Sequence, residues 1–389
     1  MNSSRFTIRI LIFSCGCGKS SVRRAYVLWM ISDWNISGIG RRTGSQRSGN
    51  SGNVIGNFFG RSGNGSTMSG QKLRLLQVCN VGNIVGGTAA CAWTVARALP
   101  DCHHIVCFRS MPTRETITQF RKHAGVEEVL SRRCLREREI QSHRPDLILL
   151  HNIGHDGVQL PEGIPTMQYV HSQISPVAAD HEIHCSHWLA RERGKADDTV
   201  CWQGVPLATD ETPKRSTGTE LTIGRICTPT KRKWPESQVA FYADLARRNE
   251  RVHWEFIGCP SELQSAIQTA CVDRGTFLDA AWSARRHVAR WDAILYHHPT
   301  LSESFGRTVA EAMRVGTIPI VDNRGGFVEQ LTPEVGFLCQ HPTEFSHAIE
   351  QLQDIRLRRE MSIAARERGN AQFSLRAFRA RLLEWFGTL

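Results

Sequence analysis

The sequence predicts an α/β protein built from two successive domains, each around a parallel sheet. Three observations carry this. Short apolar runs of strand length alternate with helical segments from residue 73 onward, the order that a parallel sheet requires. The alternation stops once, at the polar stretch 209–219, and then restarts. A chain of 389 residues, 41% hydrophobic and 22% charged, has core enough for two such domains. The expected layout is a basic Gly/Ser-rich tail over 1–70, a first domain over 71–208, a second over 219–372 and a closing helix over 373–389.

The tail is set apart by composition. Residues 1–70 hold nine Lys/Arg against a single acid, Asp33, which leaves 39 basic and 36 acidic residues elsewhere. Most of the net charge of +11 therefore belongs to the tail, and the folded part is close to neutral. Such a body lacks the clustered basic face that nucleic acid needs, so no nucleic-acid partner is expected. Residues 37–70 are mostly Gly, Ser, Asn and Arg, which cannot bury enough surface to fold. The apolar run inside 5–15 is about six residues long, too short for an export signal. Gly18-Lys19-Ser20 is no phosphate loop, because Phe13 stands where the motif needs its first glycine. Residues 1–67 read as a disordered tail or an over-long gene model, with Met68 as a start. Thirteen scattered cysteines point to reduced thiols in a cytosolic setting. Cys15 and Cys17 have no second pair nearby, so a zinc site is not expected there.

In the first domain, 73–79 reads as a strand leading into a loop with Gly86 and Gly87. Thr88 is expected to cap a helix over 89–99, which would make the loop an anion cradle. The next strand, 103–108, lacks the acidic residue that a nicotinamide site wants. Residues 109–145 read as basic and helical, with Arg121, Lys122, Arg132, Arg133, Arg136 and Arg138 among Glu127, Glu128, Glu137 and Glu139. They form either a solvated face or a surface that touches anionic lipid or an anionic acceptor. Strands 145–152 and 164–172 end in His151-Asn152 and His171-Ser172. Polar groups at carboxyl ends of parallel strands face the ligand crevice, although a histidine there is often only a hydrogen-bonded structural residue. The last two strands are expected at 182–189 and 199–204.

The second domain opens with strand 221–226, which carries Arg225. Lys231 and Lys233 follow just before Trp234-Pro235. Together they form either a compact cationic group suited to a diphosphate or a solvated basic turn. Helices at 236–248, 261–271 and 284–291 then alternate with strands at 253–258 and 276–279. Strand 293–299 leads into the stretch 302–313, and a further strand covers 317–322. Ser304 is expected to cap the helix of that stretch, and Gly306 to let its first turn approach a ligand. First-turn amides without intrahelical partners favour an anion. Glu303 lies just before the helix and Glu311 within it. Helices at 344–352, 356–370 and 375–386 close the chain.

The stretch 302–329 resembles the pattern of glycosyltransferase family 4, a Glu-x7-Glu motif followed by Gly, Pro and a G-G-x-x-E segment. The residues that carry it are Glu303, Phe305, Gly306, Glu311, Ala312, Met313, Gly316, Pro319, Gly325, Gly326 and Glu329. Elsewhere Gly86-Gly87, the strand end at His171 and a loose G-R-x-x-x-x-K at Arg225 resemble the same family. Lys231 and Lys233 are both candidates there, with Lys233 the better fit to longer variants. Gln203-Gly204-Val205-Pro206 resembles the family's N-G-V-D turn with Gln and Pro replacing Asn and Asp.

This resemblance covers roughly residues 72–389. It implies two Rossmann-like domains facing across a cleft, the GT-B architecture, with the last helix crossing back to the first domain. It implies a retaining, hexosyltransferase-type glycosyltransferase that moves a sugar from a nucleotide-diphosphate sugar to an acceptor hydroxyl in glycan or cell-envelope polysaccharide synthesis. By carry-over, Arg225 with Lys231 or Lys233 neutralises the donor diphosphate, helped by amides at Phe305 and Gly306. Ser304 and Arg307 flank that donor site. Glu303 binds sugar hydroxyls, Glu311 the ribose, Gly86 and Gly87 approach the leaving phosphate, and His171 stands by the reacting carbon. No D-x-D motif is present, so no metal and no other cofactor is expected. The implied location is the cytoplasm, with peripheral contact at the anionic inner membrane face. The rivals are a nucleotide-sugar epimerase of the same architecture and a non-catalytic binder of polyanions or sugar nucleotides.

Overall fold

A computed structural model describes residues 72–207, 218 and 220–389. The expectations for the tail, and for most of the linker, lie outside the described residues. The first domain runs β1 (Arg74–Cys79), α1 (Gly87–Ala98), β2 (His103–Phe108), α2 (Arg114–Arg121), β3 (Val126–Ser131), α3 (Glu137–Ser142), β4 (Leu147–His151), β5 (Thr166–Val170), β6 (His181–His184) and α4 (His187–Glu192). Its six strands are parallel in the order β3-β2-β1-β4-β5-β6. The chain leaves β1 towards one edge and returns at β4 towards the other. That reversal opens a crevice at the carboxyl ends of β1 and β4.

The second domain runs β7 (Leu221–Ile226), α5 (Ser237–Arg248), β8 (Val252–Ile257), α6 (Ser261–Ala270), β9 (Gly275–Leu278), α7 (Arg285–Val288), β10 (Ala293–Tyr296), α8 (Arg307–Arg314), β11 (Ile318–Asp322), α9 (Phe327–Gln330) and β12 (Phe337–Cys339). Helices α10 (Pro342–Gln351), α11 (Ile355–Phe373) and α12 (Leu375–Phe386) complete the chain. The order β12-β11-β10-β7-β8-β9 repeats the design of the first sheet, with its switch point between β7 and β10. Two parallel Rossmann-like sheets are thus present, as the alternation of runs predicts. Central strands such as β4, β5 and β11 are buried at every residue, which is why they read as continuous apolar runs.

Several local expectations are corrected. Residues 109–145 are not helical throughout, because β3 crosses them. β3 is an edge strand with Glu127 and Glu128 exposed, and edge charges mask a strand pattern. Residues 199–204 form no strand; Val200 makes one isolated bridge to His184. The helix expected at 284–291 shortens to α7 after a 3₁₀ turn, Trp282–Ala284. The three-residue edge strand β12 gave no pattern long enough to read.

The core is continuous across the two domains. Tyr169 and Val205 of the first domain share a cluster with Phe305, Val309, Met313, Phe373 and Phe378. α8 and α11 cross with their backbones nearly touching, since a Cβ on Gly369 would lie 2.6 Å from the Arg314 nitrogen. α12 packs on α1, where Arg379 pairs with Asp101 at 2.8 Å. Among the described residues no helix is long and apolar enough to cross a membrane.

Candidate active site

Both switch-point loops end in a helix whose first turn is left open. α1 begins at Gly87 behind an N-cap Gly86, and no side chain caps it. Thr88 is therefore not the cap, because the helix starts before it. α8 begins at Arg307 behind Gly306, again with no side-chain cap and no acidic residue in its first turn. Ser304 does not cap it either. Gly306 sits at φ +84°, and this left-handed turn separates Ser304 from the helix. Only glycine holds that conformation cheaply, and a Cβ here would collide with the Phe327 ring. Uncapped first-turn N–H groups make each loop a site for negative charge.

At the second-domain crevice Lys233 and Glu303 are already paired. Lys233 donates to Glu303 Oε1, and the Tyr296 hydroxyl donates to the same oxygen. Their side chains are 12% and 21% exposed for Lys233 and Glu303. Burial alone would raise the Glu303 carboxyl, but the Lys233 charge and the two hydrogen bonds hold it below the usual glutamate range. Burial, then the Glu303 charge, push the Tyr296 phenol up, so it stays a donor. Arg225 is buried between the rings of Trp234 and Tyr296. Its Nη1 and Nη2 donate to the carbonyls of His297 and Lys233, both at 2.8 Å. Arg225 thereby shapes the loop that carries Lys233, while Lys231 is exposed beside it.

The second glutamate of the motif is paired as well. Glu311 is 1% exposed, and its Oε2 accepts from Arg285 Nε at 3.0 Å. Its Oε1 accepts no hydrogen bond, with Arg307 Nη2 3.9 Å away. Arg285 lies 3.8 Å from the Trp282 ring, and Trp282 packs edge-on against Trp93 of α1 at 4.9 Å. Glu311 and Arg285 line a cavity of about 40 Å³ with Val85, Cys227, Ala280 and Thr308. Val85 belongs to the β1–α1 loop, so the two crevices meet here. A larger groove of about 830 Å³ lies at the amino ends of β4 to β6, on the far side of that sheet. It has neither open helix terminus nor switch-point residues.

His171 stands within a buried chain of hydrogen bonds with one consistent direction, which runs from Arg307 to the Leu99 carbonyl. Arg307 Nη1 donates to Gln203 Oε1 (2.8 Å), and Gln203 Nε2 to His171 Nδ1 (2.8 Å). His171 Nε2 meets His151 Nδ1 (3.2 Å), and His151 Nε2 meets Gln77 Oε1 (2.9 Å). Gln77 Nε2 then meets His104 Nδ1 (3.2 Å), and His104 Nε2 the Leu99 carbonyl (2.8 Å). Because the chain ends on a carbonyl, each imidazole fits it as the neutral Nε2–H tautomer. Burial pulls His171 well below its ordinary range, His151 to about 3 and His104 to about 4. Cys91 Sγ also lies near, and its ligand atom and those of His151 and His171 fall within 4.8 Å of one another. The hydrogen-bond chain accounts for both ring nitrogens of each of these histidines without a metal.

Two second-domain side chains grip the first domain across the junction. Arg307 reaches Gln203, the Gly204 carbonyl (3.1 Å) and Thr94 Oγ1 (2.9 Å), so its guanidinium is committed to first-domain acceptors. Glu329 accepts from the His187 and Trp188 amides at the start of α4 (2.9 and 3.2 Å) and from the Trp202 indole (2.7 Å). Gly86 and Gly87 open α1 close by; a Cβ on Gly87 would lie 3.7 Å from Arg307 Cδ.

Two switch-point crevices brought together by a shared core define the GT-B class of fold. The comparisons with known proteins agree. Residues 239–368 match the model of the family Glycosyl transferases group 1. HepE of Anabaena, solved with UDP-glucose, is similar over 82% of this chain and 100% of its own, at 16% identity and a TM-score of 0.63. A glycosyltransferase from Rickettsia africae ESF-5 is similar over 82% and 98%, at 14% identity and a TM-score of 0.63. AviGT4, a glycosyltransferase of avilamycin A biosynthesis, is similar over 81% and 97%, at 17% identity and a TM-score of 0.56. No curated protein sequence matches the chain. The fold is therefore that of GT-B glycosyltransferases, and the matched segment holds both motif glutamates and Glu329.

Sequence reasoning missed Tyr296, Arg285 and Gln203 as site residues. Tyr296 and Arg285 carry no motif, since only folding brings them onto the two glutamates. Glu329 stood in register with the G-G-x-x-E segment, but nothing in the sequence shows that it reaches α4.

Proposed function

We propose that this chain is a retaining glycosyltransferase of the family 4 type, which moves a sugar from a nucleotide-diphosphate sugar to an acceptor hydroxyl. The observation that carries the reading is Glu311. A buried carboxylate with an unpartnered oxygen, lining a small cavity at the switch point, is an acceptor waiting for a donor. A ribose offers a pair of hydroxyls for it. The diphosphate then extends over the open first turn of α8 towards Lys233, and the sugar towards Glu303. Phe305, Gly306 and Gly87 contribute main-chain amides, while Gly86, whose own amide is held by the Asn83 carbonyl (2.9 Å), lets the loop approach the phosphate. Arg225 acts through the loop it holds, and Arg307 holds the first domain against the donor site.

In the reaction the bond from the anomeric carbon to the β-phosphate oxygen breaks as the acceptor oxygen bonds that carbon on the same face. The acceptor's hydroxyl proton passes to the departing diphosphate. Negative charge grows on the diphosphate, so preorganised amides and Lys233 lower the barrier there. His171, neutral and with both ring nitrogens engaged, walls the reacting carbon and is no proton acceptor. The positive charge comes from the chain itself, and the reading calls for no metal. The acceptor enters from the first domain, where Arg121, Lys122, Arg132, Arg133, Arg136 and Arg138 are exposed and Met111 is 80% exposed. This face suits an acceptor carried on an anionic membrane surface, reached from the cytoplasmic side.

Saturation-transfer NMR against a panel of nucleotide sugars tests the reading. The expected result is contact with both nucleotide and sugar protons of one donor, which the protein then slowly hydrolyses with retention. Epimerised donor, or no binding to any member of the panel, would overturn it.

A further inference from the structure

The ion pair between Lys233 and Glu303 has a consequence for ligand choice. Lys233 comes from the turn before α5, Glu303 from the loop after β10, and Tyr296 is the last residue of β10. All three meet at the switch point, on one carboxylate oxygen. Arg225 cannot relieve Lys233, because both its Nη atoms are held by main-chain carbonyls and its face is covered by Trp234 and Tyr296. One ammonium therefore serves two anions in turn, the Glu303 carboxylate in the free protein and a phosphate in the complex. A carboxylate only 21% exposed is poorly hydrated, so it is costly to leave without its cation.

We propose that the Glu303 carboxylate competes with the ligand diphosphate for Lys233, so that the site selects an intact nucleotide sugar over the free nucleoside diphosphate, with Tyr296 as the positioning residue that holds the carboxylate in place. This rests on the nucleotide-sugar reading. A nucleoside diphosphate that draws Lys233 away strands Glu303 on the Tyr296 hydroxyl alone. A nucleotide sugar draws Lys233 away too, but its sugar hydroxyls donate to Glu303 in exchange. Once the sugar has been transferred, Glu303 reclaims Lys233 and the diphosphate leaves. The pair thus opposes product inhibition.

Calorimetry on the full chain tests this with UDP and UDP-glucose, ADP and ADP-glucose, and GDP and GDP-mannose, using whichever pair the protein binds. The wild type is expected to bind the nucleotide sugar at least tenfold more tightly than its diphosphate. Glu303→Gln keeps the shape and removes the competing charge. It should tighten diphosphate binding about five- to tenfold while the nucleotide sugar gains nothing, so the preference collapses. Lys233→Met should weaken the diphosphate at least tenfold and cancel the gain in the double variant. Tyr296→Phe should act with the opposite sign, weakening diphosphate binding as Glu303 leans harder on Lys233, and it serves if Glu303→Gln does not fold. Unchanged or weaker diphosphate binding in folded Glu303→Gln, with Lys233→Met still impaired, overturns the competition and leaves the donor site standing. No binding of any pair, or full binding by Lys233→Met, overturns both.

Discussion

At the scale of single residues, the two motif glutamates differ in what they lack. Glu311 has one oxygen on Arg285 and the other unpartnered, whereas Glu303 takes both Lys233 and Tyr296 on a single oxygen, Oε1. Glu311→Gln is expected to raise the donor Michaelis constant roughly tenfold with a smaller change in turnover, since a charge-assisted hydrogen bond is worth about 1.5–3 kcal/mol. Glu303→Gln is expected to act mainly on turnover, because the sugar end sets orientation at the reacting carbon. Steady-state kinetics with thermal melts check both, and two folded, fully active variants would sink the site. The histidines give a prediction in pH. His104 and His151 are neutral in the fold down to about 4 and about 3, while their ordinary value is 6.5. Above pH 6.5 neither state binds these protons, so there is no penalty. As pH falls below 6.5 the unfolded chain takes them up and the fold does not, so stability declines by roughly 1.4 kcal/mol per pH unit per histidine. Denaturant titrations between pH 7 and 5 should show this slope, and His151→Gln should make it shallower by one proton.

At the scale of elements, α8 is too short to be stable alone, so its position comes from packing. Seven of its eight residues, Arg307, Val309, Ala310, Glu311, Ala312, Met313 and Arg314, are buried, and α11 lies against it. Gly306 aims the helix. Gly306→Ala meets both the left-handed backbone and the Phe327 ring, so we expect a loss of about 2–4 kcal/mol from strain and overpacking together. Urea denaturation measures it, and a loss below about 0.5 kcal/mol would show that the loop tolerates another path. Donor affinity should fall in the same variant, because the open first turn moves with the loop.

For the whole molecule, Glu329 ties the second domain to α4 and Trp202 of the first. Glu329→Ala leaves two amides and an indole N–H without their acceptor. We expect a loss of about 2–3 kcal/mol, faster hydrogen exchange at His187, Trp188 and the Trp202 indole, and weaker donor binding through a looser junction. Unchanged exchange at all three would show that the apolar cluster alone holds the domains together.

The two sheets were legible in the sequence because central parallel strands are apolar on both faces, and a run such as Leu147–His151 announces itself without its neighbours. The placement of Glu303 before a helix and of Glu311 within it was legible for a related reason, since a loop and the helix it opens are contiguous in the chain. β3 was not, because an edge strand is half exposed and its glutamates imitate a solvated helix. Nor were the partners of the glutamates. Lys233 lies 70 residues from Glu303, and Arg285 lies 26 from Glu311. Arg307 looked like a donor ligand by its place in the motif, yet its guanidinium is spent on Thr94, 213 residues away, and on Gln203. The sequence by itself determined the alternation of strand and helix and the glycine-bearing loops that open α1 and α8, because hydrophobic period and glycine act locally. Only the tertiary structure decided which cation each carboxylate holds and which domain each arginine serves, because an ion pair depends on distance in space and leaves no period in the chain.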